Sequence, residues 1–272
     1  MILPIENLNL ALVYKFLTRI QLFIQYLIKG RSKYYIHSPF MYDFCRFVLN
    51  RNPSKKDIDT ISAIKKYYQT NKGVLDLQEF GAGKPRTYTI DTKNYLKRTA
   101  ITNKYGKLLY HLVAYYQVEQ VFETGTALGI STSWMALANP NCKISSIEGN
   151  KKLCDVSNEM FNRFSITNTQ VYCGLVEDVL PELAKNMKCK TLLFIDAHHT
   201  GAATMRYFAM IKSYVKDDTI VVFDDINYSA EMNDAWKTII CDERVTLSLN
   251  LFRIGVIFFN PSLSKQNFSL YY

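Results

Sequence analysis

The sequence is short of several things, and each shortage excludes a class of protein. Its six cysteines, at positions 45, 142, 154, 173, 189 and 241, form no C-x-x-C pair. Scattered thiols of this kind argue against a zinc site and a disulfide framework, and they fit a reducing compartment. No apolar run approaches the roughly 18 residues that a membrane span requires. Glu6 lies among the first residues and no basic residue precedes Lys15, so the start does not read as a secretory signal. A cytoplasmic location is the expectation.

Two nucleotide motifs also lack a part. The segment Glu79–Pro85, E-F-G-A-G-K-P, suggests a phosphate loop, but that motif needs glycine at 78 and Ser or Thr at 85, where Gln78 and Pro85 stand. The turn that begins at Gly125 would need a third glycine at Ile130 to be a dinucleotide fingerprint. Acidic residues are scarce in the front of the chain. Up to Glu119 there are 19 Lys and Arg against 8 Asp and Glu, while from Gln120 onward there are 14 against 16. The net charge of +9 therefore belongs to the N-terminal part. Such asymmetry suits a solvated surface, or contact with nucleic acid, an anionic membrane or an acidic partner.

What the chain has is a globular composition, 48% hydrophobic and 21% charged over 272 residues. That is room for one α/β domain with an appendage. Residues 5–29 read as a helix with Leu12, Phe16, Ile20, Phe23 and Leu27 on one stripe, to be covered by the rest of the chain, a second copy or a membrane surface. Ser38-Pro39 starts another helix, with Phe40, Phe44 and Val48 at i+4 spacing. The division expected is a helical extension over 1–75, a connecting loop over 76–103 and a ligand-binding domain over 104–272. The aromatic residues Tyr34, Tyr35, Phe40, Tyr42 and Phe44 suit a pocket wall or a core, and His37, beside a helix cap, suits a structural role.

From Lys104 onward strands and helices alternate. Strands are predicted at Gln120–Thr124, Lys143–Ile147, Gln170–Cys173, Thr191–Ile195, Thr219–Phe223, Val245–Leu251 and Gly255–Phe259. Repeated βα units imply a Rossmann-like, doubly wound parallel sheet, here of seven strands with the last antiparallel. Ligands of such sheets bind outside the carboxyl ends of the strands. Glu123, Glu148, Asp196 and Asp224-Asp225 all stand at such ends.

The centre of the pattern is V-F-E-T-G-T-A-L-G, Val121 to Gly129. A small-residue turn between strand and helix lets backbone N–H groups approach a ligand. Its spacing, E-x-G-x-A-x-G, resembles the first motif of the class I S-adenosylmethionine-dependent methyltransferases. F-I-D-A-H-H-T at 194–200 and V-V-F-D-D-I-N at 221–227 resemble the metal-dependent O-methyltransferases, including catechol O-methyltransferase and the sugar O-methyltransferases of macrolide biosynthesis. The H-S-P-F and F-G-A-G pieces are similar to segments that precede the domain in a bacterial branch of the family.

The resemblance implies S-adenosylmethionine as cofactor. Gly125, Thr126, Ala127 and Gly129, with Ser131 nearby and Glu123 leading in, would lie under its amino-acid portion. Glu148 lies 19 residues past Gly129, near the offset of about 20 at which an acid meets a ribose diol. Glu177 falls in the region that touches the adenine, although an acid in a helix's first turn also stabilises the helix. Asp196, Asp224 and Asp225 match the positions that bind a divalent ion. Clustered carboxylates and hard oxygen donors favour Mg²⁺. Asp225 departs from catechol O-methyltransferase, which has an amide there. His199, where the sugar enzymes also have histidine, is the expected general base, with His198 as the second candidate. The reading that results is methylation of a hydroxyl on a small molecule or sugar, with a homodimer through the N-terminal helices as a further expectation. RNA methylation, a non-catalytic binding protein and a dehydrogenase are the alternatives, in that order.

Overall fold

In the computed structural model, which describes residues 5–32, 38–71, 73–79, 86–187 and 190–272, two sheets are formed. The larger has eight strands: β3 (Gln120–Thr124), β4 (Lys143–Glu148), β5 (Thr169–Cys173), β6 (Thr191–Ile195), β7 (Ile220–Phe223), β8 (Leu247–Leu251), β9 (Ile254–Phe258) and β10 (Gln266–Ser269). Their order is β10-β8-β9-β7-β6-β3-β4-β5. Strands β5, β4, β3, β6 and β7 run parallel. Strand β9 runs antiparallel to both of its neighbours, β7 and β8. The expected antiparallel strand is therefore present. The sheet has one strand more than the predicted seven, because Gln266–Ser269 adds an edge strand parallel to β8. Its four residues, mostly polar, carry no apolar alternation to announce them.

Both faces of the sheet are covered, so the central strands T-L-L-F-I (β6) and I-V-V-F (β7) are apolar throughout and fully buried. Alternate residues supply two cores. Val121, Ile144, Phe194 and Val222 point to one side. Phe122, Ile147, Ile195 and Phe223 point to the other, against α8 (Val176–Ala184), α9 (Gly201–Lys212) and α10 (Ala230–Cys241). The first core also takes in Met41, Phe44, Ile61, Leu75 and Leu109, so the front elements pack into it as well.

Those front elements are α1 (Ile5–Lys29), α2 (Pro39–Phe44), a π-helical turn (Cys45–Leu49), α3 (Lys55–Thr70), β1 (Val74–Glu79), β2 (Arg86–Asp91), α4 (Thr92–Thr99) and α5 (Asn103–Tyr115). Ser38 caps α2 by accepting from Met41 N, and Pro39 occupies the first helical position, as expected. The segment expected as a connecting loop, 76–103, instead contributes to an antiparallel hairpin, β1–β2, and then α4, which Asp91 caps. Leu75 and Leu77 alternate with Asp76 and Gln78, a period of two that places the leucines inside.

Helix α1 is oriented differently from the expectation. Its buried residues are Leu22 and Tyr26, while Phe16, Ile20, Phe23 and Leu27 of the predicted stripe are exposed. Tyr26 packs on Phe252 and Tyr271 and donates to the carbonyl of Leu270, which fixes this face inward. No described helix is long and apolar enough to cross a membrane.

Candidate active site

The turn after β3 is built by backbone. Gly125 N and Thr126 N both donate to the carbonyl of Ile147, and Gly129 N closes onto Thr126 O at 2.7 Å. Gly125, Ala127 and Gly129 all have positive φ, at 89°, 49° and 72°. A Cβ on Gly125 would lie 2.5 Å from the carbonyl oxygen of Asp196, so the strand ends of β3 and β6 meet only because glycine stands there. At Gly129 a Cβ would meet the Phe161 ring at 2.7 Å. That glycine serves the packing of α7 (Lys151–Arg163) beneath the turn.

Two side chains expected at the cofactor face inward instead. Glu123 is fully buried and accepts from Ser131 Oγ at 2.5 Å, from Ser146 Oγ at 2.6 Å and from Thr132 Oγ1. Burial pushes its carboxyl above the usual range, and the three hydroxyls work against that. Thr126 is buried as well, its hydroxyl 2.6 Å from that of Ser146. These residues brace the turn from behind. Their backbone, or a neighbour, forms the surface.

That surface borders a cavity of about 240 Å³ lined by Gly125, Glu148, Asn150, Tyr88, Tyr95 and His198 among others. Glu148 receives Ala127 N at 2.9 Å on one carboxylate oxygen and Asn150 N at 2.8 Å on the other. With Gly149 as a further backbone donor, the carboxylate still has acceptor capacity for a ligand hydroxyl. Burial raises the Glu148 carboxyl, and these backbone donors oppose the rise. Gly125, Thr126, Ala127, Ser131 and Asp196 enclose a smaller recess beside it. Glu177 does not line the cavity, whose wall there is Leu175 and Val176. It accepts instead from Tyr207 OH at 3.3 Å and Arg206 Nη2 at 3.5 Å on α9.

The second strand-end group, Asp196, Asp224, Asp225 and His199, is assembled as the spacing suggests. His199 Nδ1 lies 3.8 Å from Asp196 Oδ1 and 3.6 Å from Asp225 Oδ2. His198 turns away, hydrogen-bonded through Nδ1 to Tyr207 OH and facing the cavity. Asp225, His198 and His199 all have positive φ, so strain is concentrated where these side chains are aimed.

Sequence reasoning missed Arg253. It sits on the tight β8–β9 turn and donates Nε and Nη2 to the two oxygens of Asp224 at 2.8 and 2.5 Å. Its Nε is also 3.3 Å from Asp225 Oδ1. Burial works against its charge, but the hydrogen bonds and the three carboxylates hold its pKa above the ordinary value. The Asp196 carboxyl is raised by burial first and then by Asp224 and Asp225. Asp225 is raised by burial and Asp224, with Arg253, His199 and Arg19 opposing.

The expected Mg²⁺ site does not fit this arrangement. The Asp224 side chain is fully buried with both oxygens given to a guanidinium, and no group of three potential ligands among the described residues is disposed to hold an ion. Other missed residues are Tyr88 and Tyr95, delivered by the hairpin and α4. His37, Tyr34, Tyr35 and residues 80–85 of the Glu79–Pro85 loop lie outside the described residues.

Residues 122–226, which span both strand-end groups, match a family described as a methyltransferase domain. Over those residues the chain is similar to a methyltransferase domain. It is 28% identical over 142 residues to a protein named catechol O-methyltransferase from Niastella koreensis, covering 51% of this chain and 63% of that protein. A protein of the same name from Mycobacterium tuberculosis is 29% identical over 146 residues, with 52% and 64% covered. The chain thus spans less than two thirds of the length of either relative. An O-methyltransferase from Bacillus cereus, solved in complex with SAH, superposes with a TM-score of 0.53 at 17% identity, covering 79% of this chain and 96% of that one.

Proposed function

We propose that this methyltransferase binds S-adenosylmethionine in the cavity between Gly125, Glu148 and Tyr95 and methylates a hydroxyl of a small molecule. The cofactor, when bound, supplies an electrophilic methyl group. Gly125 gives the ligand room against the strand ends, and Glu148 accepts a ribose hydroxyl with the acceptor capacity that its backbone donors leave. Tyr88 and Tyr95 close the cavity from the hairpin side and exclude water.

The observation that carries the reading is His199 poised between two carboxylates. An imidazole there can take the proton of an acceptor hydroxyl, because Asp196 and Asp225 stabilise the imidazolium that forms. Arg253 holds the adjacent Asp224 through two hydrogen bonds, so the cluster has a built-in cationic partner.

The test has two stages. Calorimetric titration with S-adenosylhomocysteine should give micromolar-range binding, about −8 kcal/mol, that Glu148→Ala weakens. Turnover of catechol or a sugar acceptor by the intact protein should then fall about 100-fold or more in His199→Ala, in line with loss of a general base. Binding that ignores Glu148→Ala would overturn the cofactor site. Unchanged turnover in His199→Ala would move the base elsewhere.

A further inference from the structure

A second cavity, of about 500 Å³, lies away from the turn after β3, between the C-terminal half of α1, α10 and the β8–β10 edge of the sheet. The chemistry of its floor is unusual. On the opposite face of β8, Leu247, Leu249 and Leu251 are buried in the core. The residues that face the cavity are Ser248 and Asn250, and the parallel register sets Asn267 and Ser269 of β10 directly beside them. A sheet face flanked by two helices is ordinarily apolar, because burying unpaired polar groups there is costly. Here four polar side chains form a ladder, with Ser248 Oγ donating to Asn267 Oδ1 at 2.6 Å.

Asn233 of α10 lines the same cavity and is 8% exposed. Its amide nitrogen donates to Asn227 Oδ1 at 2.7 Å, which fixes the orientation of the amide, and its buried Oδ1 has no hydrogen-bond partner. The cavity wall is thus built of amides and hydroxyls, groups that pair with the hydroxyls of a ligand. The cations point to the rest of that ligand. Lys29, Arg31 and Lys237 line the cavity, and among the described residues no Asp or Glu does. Among the described residues neither Lys29 nor Arg31 has a carboxylate partner, while Lys237 reaches only Asp234 on its own helix. The backbone of Arg31 is held in place, with its N–H on Ser269 O and its carbonyl receiving Tyr271 N.

We propose that this cavity is a binding site for an anionic polyol, a molecule with several hydroxyls and one phosphate or carboxylate. The amide and hydroxyl ladder meets the hydroxyls, and Lys29, Arg31 and Lys237 meet the anion. The site is separate from the cavity at Glu148, so its occupancy does not depend on the cofactor reading.

Calorimetry on the full chain with glucose 6-phosphate and with glucuronate tests it, the two probes distinguishing a phosphate from a carboxylate. Glucose and inorganic phosphate are the controls, each lacking one half of the chemistry. Saturable binding of at least one probe is expected, at least about tenfold tighter than either control. The exposed-charge variant Lys29→Gln/Arg31→Gln/Lys237→Gln should weaken it about tenfold or more. Asn233→Leu should weaken it without the charge change, with S-adenosylhomocysteine titration reporting whether each variant is still folded. Absence of binding by both probes up to about 10 mM, a control that binds as well as the probes, or binding that survives the triple variant would each overturn the proposal.

Discussion

Arg253 and Asp224 show how one residue pair decides the electrostatics of a site. Asp224 is among the most enclosed carboxylates of the described residues, and two guanidinium hydrogen bonds occupy its oxygens. Arg253→Gln leaves this buried carboxyl without those donors, and a loss of about 3–5 kcal/mol in unfolding free energy is expected. The same change frees carboxylate oxygens beside Asp225 and Asp196. Millimolar Mg²⁺ should therefore raise the denaturation midpoint of the variant while leaving the parent unmoved, since only a folded state with free donors binds the ion. A parent equally stabilised by Mg²⁺ would mean that its own donors are available. Glu148 gives a pH test of the other cavity. Burial raises its carboxyl in the folded state, so the folded protein favours the neutral form. Its contribution to stability is complete below about pH 4.3, the unfolded value, and is lost as pH rises through the raised value. Glu148→Gln cannot titrate. In urea unfolding at pH 4 and pH 7 the parent should lose more stability between the two than the variant does, and an equal loss would remove burial as the governing influence on Glu148.

At the level of elements, the turn after β3 depends on glycine where two strand ends converge. Gly125→Ala adds a Cβ at a φ of 89° and 2.5 Å from the Asp196 carbonyl. A destabilisation of at least about 2 kcal/mol is expected from strain and overpacking together. Because the clash is with Asp196, S-adenosylhomocysteine binding should weaken along with stability, and a denaturation midpoint equal to the parent's would show that the turn tolerates the methyl. The sheet itself was legible because each central strand is a short apolar run ending in an acid, and each is followed by a helix. The antiparallel strand was legible from the tight join between β8 and β9. The orientation of side chains at the strand ends was not. Glu123 and Thr126 face inward because Ser131 and Thr132 of the helix that follows the turn (Ile130–Ala138) and Ser146 of β4 gather behind it. Arg253 could not be paired with Asp224, 29 residues earlier, without knowing that β9 inserts beside β7 and sets Gly255 opposite Phe223. The hairpin at Val74–Asp91 was hidden by polar residues on its exposed face, although its period of two was present.

Across the whole molecule, α1 connects the candidate active site to the last residues of the chain. Arg19 lies over the ring of Tyr228, at 5.3 Å from its centre, and Tyr228 neighbours His199. About two turns further along, Tyr26 donates to Leu270 O and accepts from Tyr272 N, while Tyr271 OH donates to Leu27 O at 2.6 Å. Tyr272 in turn donates to Lys104 O at 2.9 Å, so the C-terminal tyrosines tie α1 to α5 and to the sheet edge. Phe23 adds an edge-on contact with Phe252 and Leu22 is buried, but the hydrogen bonds of this attachment come from the tyrosines. Tyr26→Ala with Tyr271→Ala should therefore release α1 locally, because local opening follows the few contacts that secure an element. Amide exchange should speed up by orders of magnitude over 16–29 and stay slow in β6 and β7. S-adenosylhomocysteine affinity should be unchanged, since among the described residues none of α1 borders the cavity at Glu148. The KM for a hydroxyl acceptor should rise, because Arg19 leaves the neighbourhood of Tyr228, His199 and Asp225. If exchange accelerated equally across the central strands, the tyrosines would be securing the whole fold, and α1 could not be treated as a separately docked element.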